Sequence, residues 1–444
     1  MKNEDRRSER AGGGRAARGL LALLAMAVAT AGCEVTNPGP VQDQFLNDAA
    51  ARAGVVTGIK RSFSNALAAG CGSILGSTVA SVTRELFPSG NPGTCGIDTR
   101  EGVGDLSVEV EEQDFEWDDA QNARWVAEDA ITRFDTTIEA SAFESSPFVA
   151  EAMVWAGFAN RLLGENFCEA VVDGSGLQPR SVFFERAEGH FTSAIGVASA
   201  AGRTDLVNAA RAGRASVRAW QGDWSGAVDD AQSVPVDFEF EAEFAGVSQD
   251  QYNQFYWMRA AEPYRTGSVW NTPYEQYYTD YTDPRTPWSE DPDFEFGDLA
   301  RFDMQVPFLR QEKYTSNAAG IDLADGREMI LIRAEAQLRA GDWQDAIDLV
   351  NDELRATVGV DDWSVSSEEE AWTAFRFERG IELWLEARRL WDFYRWSEEG
   401  VPGQMQSLED PSNPDTYLQS EPDYCISVPN SERETNDNVP TLSG

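Results

Sequence analysis

Apolar residues return every third or fourth position along Ser367–Trp396 (SEEEAWTAFRFERGIELWLEARRLWDFYRW). Phe377, Ile381, Trp384 and Trp391, joined by Leu385 and Leu390, make a stripe wide enough to be buried on most sides. The pattern predicts one unbroken helix of about 45 Å at the usual rise per residue. Ser367 followed by Glu370 reads as a capping-box start, and Glu368 and Glu369 suit the first turn of a helix dipole. Arg379–Glu382, Glu386–Arg389, Arg388–Asp392 and Asp392–Arg395 are spaced to pair along one face, so the charges read as a structural ion-pair lattice.

Upstream, residues 118–235 also read as helices, in pieces separated by Gly, Pro or Asp. They contain an internal repeat. Arg214-Ala215, Gly222-Asp223-Trp224, Ala227 and Asp229 recur as Arg333-Ala334, Gly341-Asp342-Trp343, Ala346 and Asp348, at one offset of 119 residues. An Ala-rich helix, a Gly-Asp-Trp turn and a second helix describe a tetratricopeptide-like hairpin. A weaker third copy, EAMVWAGFANRLLGENFCEA, ends its first helix at Gly164. The long interruption between the repeats implies that they do not form a continuous solenoid.

That interruption, 236–320, has no sustained helical period and is dense in rings. QDQYNQFYWMRA predicts a helix with core aromatics, whereas GSVWNTPYEQYYTDYTDPRTPW, with three prolines, predicts an ordered loop. Trp270, Tyr274, Tyr277, Tyr278, Tyr281 and Trp288 could offer flat apolar faces to sugar C–H groups or peptide side chains, with Arg285 and nearby carboxylates binding hydroxyls. The competing expectation is that the same rings pack the loop onto the helices.

The N-terminus changes the setting. Lys2, Arg6, Arg7, Arg10, Arg15 and Arg18 precede an apolar stretch from Leu20 to Ala31, too short to span a bilayer and typical of an export leader. Thr30-Ala31-Gly32-Cys33 fits a bacterial lipobox, which makes Cys33 the expected lipidated residue. In an exported chain the other cysteines, Cys71, Cys95, Cys168 and Cys425, suggest two disulfides with three possible connectivities; Cys71–Cys95 and Cys168–Cys425 are favoured.

The chain of 444 residues is 42% hydrophobic, enough for a sizeable core, and carries 36 basic against 76 acidic residues, a net charge of −40. Because residues 1–32 are net basic, the acidity belongs to the part after them. Such a surface repels nucleic acid and anionic lipid headgroups. His190 is the only histidine, so zinc sites and Ser–His or Cys–His nucleophiles lack material, and no cofactor or metal is expected. No acidic pair stands out as a catalytic dyad.

In the long run, Glu378, Arg379, Glu382, Leu383, Glu386, Arg389, Asp392, Arg395 and Trp396 resemble a late helix of the SusD/RagB-like nutrient-uptake lipoproteins, E-R-x-x-E-L-x-x-E-G-x-R-x-x-D-L-x-R-W. Ala387 replaces the glycine and Phe393 the leucine. Asn37-Pro38, Asp283-Pro284-Arg285, Arg327–Arg339, and Val428-Pro429 with Glu432 and Asn436 also resemble elements of that family. The resemblance implies a mainly α fold: tetratricopeptide-like hairpins forming a scaffold with long inserted loops. It implies a bacterial outer-membrane lipoprotein, exposed at the cell surface, that is no enzyme. Such a protein binds an oligosaccharide, or a peptide, and hands it to a SusC-like, TonB-dependent β-barrel transporter.

The organisation expected is a leader (1–32), a tether and entry segment (33–55), an N-terminal helical part (56–235), an aromatic-rich insertion (236–320), a C-terminal hairpin and long helix (321–400) and a tail (401–444). The rival readings are a protein-docking tetratricopeptide scaffold and a surface glycosidase.

Overall fold

The computed structural model describes residues 43–70, 74–90, 99–108, 110, 113–261 and 263–441. The expected leader, Cys33 and the expected Cys71–Cys95 pairing lie outside the described residues. The chain divides into Met1–Leu46 and Asn47–Gly444, and the helices and strands that follow belong to the second unit.

Helices dominate, as the periodicity predicts. The ones that matter are α1 (Arg52–Ala68), α2 (Leu75–Val82), α3 (Gln113–Thr137), α4 (Pro147–Asn166), α5 (Ser181–Ala200), α6 (Thr204–Trp220) and α7 (Trp224–Ala231). They are followed by α8 (Pro273–Asp280), α9 (Gly326–Ala340), α10 (Trp343–Val350), α11 (Glu368–Glu382), α12 (Arg389–Glu398) and α13 (Asn430–Thr435). Strands are short antiparallel pairs: β1 (Phe87–Pro88) with β5 (Gly267–Ser268), β2 (Glu169–Ala170) with β3 (Gln178–Pro179), β4 (Glu239–Ala242) with β8 (Ile321–Asp325), and β6 (Trp288–Glu290) with β7 (Leu309–Gln311). Among the described residues no helix is long and apolar enough to cross a membrane.

Both repeats are helical hairpins. Gly222 and Gly341 take φ of 81° and 88° at equivalent turn positions, a conformation that costs a glycine little. Asp223 caps α7 by accepting from Gly226 N at 3.0 Å. Ala227 and Ala346 are fully buried, where a small side chain lets the paired helices close up.

The expectation of a discontinuous array is corrected. α4 packs on α5, α5 on α6, α6 on α7, α7 on α9, α9 on α10 and α10 on α11 in one series. β4 and β8, paired from Glu239↔Asp325 to Ala242↔Ile321, close the neck of the insertion, so the chain leaves and re-enters the stack at one place. Gly164 does not end its helix either: α4 runs on to Asn166. A Cβ at Gly164 would lie 2.6 Å from a Phe184 ring carbon, so the glycine serves the close approach of α4 and α5.

The long run is not one helix. It breaks into α11 and α12, with Leu385 at φ 62° and Ala387 at φ 57° between them. Leu385 N donates to Glu85 Oε1 at 2.7 Å and Trp384 Nε1 to the Glu85 carbonyl at 3.0 Å. The break therefore turns Trp384 and Leu385 into the core, where both are fully buried. It also re-routes the charges. Asp392–Arg395 pair as spaced, at 2.9 Å. The others reach different elements: Arg388 to Glu328 (2.6 Å) and Glu165 (3.2 Å), Arg389 to Glu409 (2.8 Å), Glu386 to Lys313 (2.6 Å). Burial raises the cost of charge at Glu328, yet Arg388, Arg161 and Arg379 hold its carboxyl down at about 2.

The tail is fastened covalently. Cys168 and Cys425 form a disulfide with an S–S distance of 2.07 Å. Beside it Cys168 N donates to Ile426 O at 2.9 Å and Ile426 N to Asn166 O at 2.8 Å.

Candidate functional site

The stretch expected to be a loop contains α8, started by Pro273 at its first turn. A helix sorts its rings by face. Tyr274 and Tyr277 are three apart and point inward, 1% and 4% exposed; Tyr274 stacks on Trp384 at 5.3 Å and 14°. Burial pushes both phenols well above their ordinary range. Tyr278 and Tyr281 face solvent at 38% and 59% exposure. Trp288, on β6, is half-buried, meets Tyr278 at 6.0 Å, and donates from Nε1 to Glu275 O at 3.2 Å.

The Arg285 side chain is only 9% exposed. Its guanidinium lies 2.6 Å from Asp283 and 2.6 Å from Glu378, and also bonds Glu382. Burial opposes the cation, but these carboxylates raise its pKa. The Asp283-Pro284-Arg285 turn is thus pinned to α11, and Arg285, Tyr274 and Tyr277 face the protein interior rather than a ligand.

Trp270 belongs to a different grouping, which sequence reasoning missed. Fully buried Phe87, on β1, is the hub. Trp270, Phe302 and Tyr417 meet it edge-on at 5.2, 5.5 and 5.6 Å, and Phe302 and Tyr417 lie 5.0 Å apart. Trp270 and Phe302 are half-buried and Tyr417 is 36% exposed, so three rings from three chain segments present a partly open apolar platform. Asn271 Nδ2 donates to Asp415 O at 2.8 Å and Tyr417 Oη to Met304 Sδ at 3.6 Å, which ties the segments together. Asp303 and Asp415 are exposed beside the rings.

The backbone here is strained. Asn271 (57°), Phe302 (50°), Asp303 (61°) and Tyr417 (58°) all have left-handed φ, which costs about 1–2 kcal/mol at a residue with a Cβ. Four such residues around one ring cluster mark a place where ring orientation has been favoured over local stability. The available signal was weak: Phe302 and Tyr417 are isolated aromatics in polar, non-periodic text, and Tyr417 is remote in sequence from the other two.

His190 sits in a charge cluster, Nε2 3.2 Å from Glu128 Oε1 with Arg124 and Arg186 on the same carboxylate. Among the described residues no group of three or more His, Cys, Asp or Glu is placed to hold a metal ion.

Residues 314–440 match the model of the SusD family. The fold is similar to several solved structures. A SusD superfamily protein from Parabacteroides distasonis is 13% identical, with a TM-score of 0.65 over 89% of this chain and 99% of that one. A SusD-like carbohydrate binding protein from Bacteroides fragilis is 15% identical, with a TM-score of 0.63 over 89% and 100%. Surface glycan-binding protein A from Bacteroides thetaiotaomicron is 12% identical, with a TM-score of 0.64 over 89% and 98%. At these identities the likeness is one of fold. No curated protein matches the sequence.

Proposed function

Because the chain is SusD-like, in the sequence of residues 314–440 and in its fold, we propose that it is a surface lipoprotein of the outer membrane that captures an oligosaccharide. It then passes the ligand to a TonB-dependent β-barrel transporter. The observation that carries the ligand class is the platform of Trp270, Phe302 and Tyr417 around Phe87. Partly open rings supply apolar faces for sugar C–H groups, and the exposed Asp303 and Asp415 carboxylates supply acceptors for hydroxyls. Tyr278, Tyr281 and Trp288, exposed or half-buried, offer further rings for other sugar units. A fold-neighbour named a surface glycan-binding protein supports the same choice.

The role requires no bond-making. Stacking and hydrogen bonds on a rigid surface suffice, and rings fixed in advance lose little entropy on binding. Cys33 would supply the anchor. The hand-off is tested by detergent extraction of the tagged, lipidated protein from its native outer membrane, with partners identified by mass spectrometry. A stoichiometric large β-barrel is the expected partner; recovery of soluble proteins alone would favour a docking scaffold instead.

A further inference from the structure

A cavity of about 590 Å³ opens between the C-terminal half of α1, the start of α3 and the segment 249–257. It contains none of the platform residues. Its wall includes the Trp257 indole, held at right angles between Tyr252 (5.6 Å, 83°) and Tyr264 (5.5 Å, 80°), so that ring has no freedom to turn away. Asn65 lines the same space. Arg61 and Asp250 pair at 3.2 Å, and Gln249 and Asp119 complete the polar lining.

Guanidinium, amide and carboxylate groups are planar and multidentate. Each can meet two neighbouring hydroxyls, with an indole as the apolar wall. One cation beside two carboxylates gives a slightly negative lining, which disfavours an acidic sugar. We propose that this cavity is a second saccharide site, separate from the platform, which takes one neutral pyranose unit with its hydroxyls on Arg61, Gln249 and Asp250. The proposal rests on the glycan-binding reading above.

The test uses the mature chain without its lipid, titrated calorimetrically with neutral oligosaccharides selected on a broad glycan array. Gln249→Trp, at the exposed rim, fills the mouth without touching the core; Arg61→Ala removes the guanidinium from the lining. The expected result is a second binding event in the wild type, weakened at least tenfold in both variants while Trp270→Ala leaves it in place. If both cavity variants keep the wild-type isotherm while Trp270→Ala alone loses affinity, the cavity proposal is overturned and the platform stands. Loss in the cavity variants with none in Trp270→Ala would overturn the platform instead. An array with no bound glycan would overturn both.

Discussion

Arg379, near the end of α11, donates from Nε to both carboxylate oxygens of Asp392 in the first turn of α12, at 2.9 and 2.8 Å. All four side-chain partners of this junction, Arg379, Asp392, Arg395 and Glu335, are at most 2% exposed. The contact holds two helices at the angle their broken connection sets. Asp392→Ala would leave Arg379 and Arg395 as buried cations short of a partner, so a loss of about 3–5 kcal/mol is expected in urea unfolding. A loss below about 1 kcal/mol would mean that solvent reaches the junction.

Ala387 predicts the opposite sign. Its φ of 57° is costly for alanine and free for glycine. Ala387→Gly should raise stability by about 1 kcal/mol, seen as a higher urea midpoint with an unchanged slope. An unchanged or lower midpoint would mean that the helix break is relaxed some other way.

Tyr274 has a buried hydroxyl without a hydrogen-bond partner. Tyr274→Phe keeps the stack on Trp384 and removes the orphaned group, so thermal unfolding should rise by the equivalent of about 1 kcal/mol. Ligand affinity should be unchanged. A drop in affinity would put Tyr274 back among the binding residues.

Acidity acts on this core in two directions. Burial, against hydrogen bonds from Leu385 N and Thr83, lifts Glu85 to about 7, and burial likewise lifts Asp325 to about 7. A carboxyl whose folded pKa is raised stays protonated while its unfolded counterpart ionises at 4.5. Its stabilisation is thus complete at low pH and is lost as pH rises from about 4.5 to 7. Glu328 and Glu335 do the reverse: despite burial, Arg388 and Arg395 hold them at about 2, so their contribution is lost as pH falls from about 4.5 to 2. Stability should therefore peak in mildly acidic buffer. Glu85→Gln should match the wild type near pH 4.5 and exceed it by roughly 3 kcal/mol at pH 8 in urea titrations. Equal stabilities at both pH values would show that Glu85 ionises freely in the fold.

The parts legible in the sequence were those specified locally. Gly222-Asp223-Trp224 and Gly341-Asp342-Trp343 each encode a turn within a few residues, and both hairpins fold as read. The break between α11 and α12 is set by Glu85, 300 residues upstream of Leu385, so no local pattern could reveal it. Ala387 was still a clue, since it stands where the resembled pattern has glycine. In α8 the rings at 277 and 278 are adjacent in sequence and end on opposite sides of the protein surface. Period alone could not decide which faced inward, because the helix is only about two turns long. The platform was least legible of all: Phe87, Trp270, Phe302 and Tyr417 meet only through tertiary structure.

The most direct test of the account is calorimetric titration of an array-selected oligosaccharide into the mature protein and into Tyr417→Ala and Trp270→Ala. Each ring should contribute about 1–2 kcal/mol, so each variant should bind the platform-directed ligand roughly 5- to 30-fold more weakly, with thermal unfolding still cooperative. Wild-type affinity in both folded variants would contradict the claim that this platform captures the ligand.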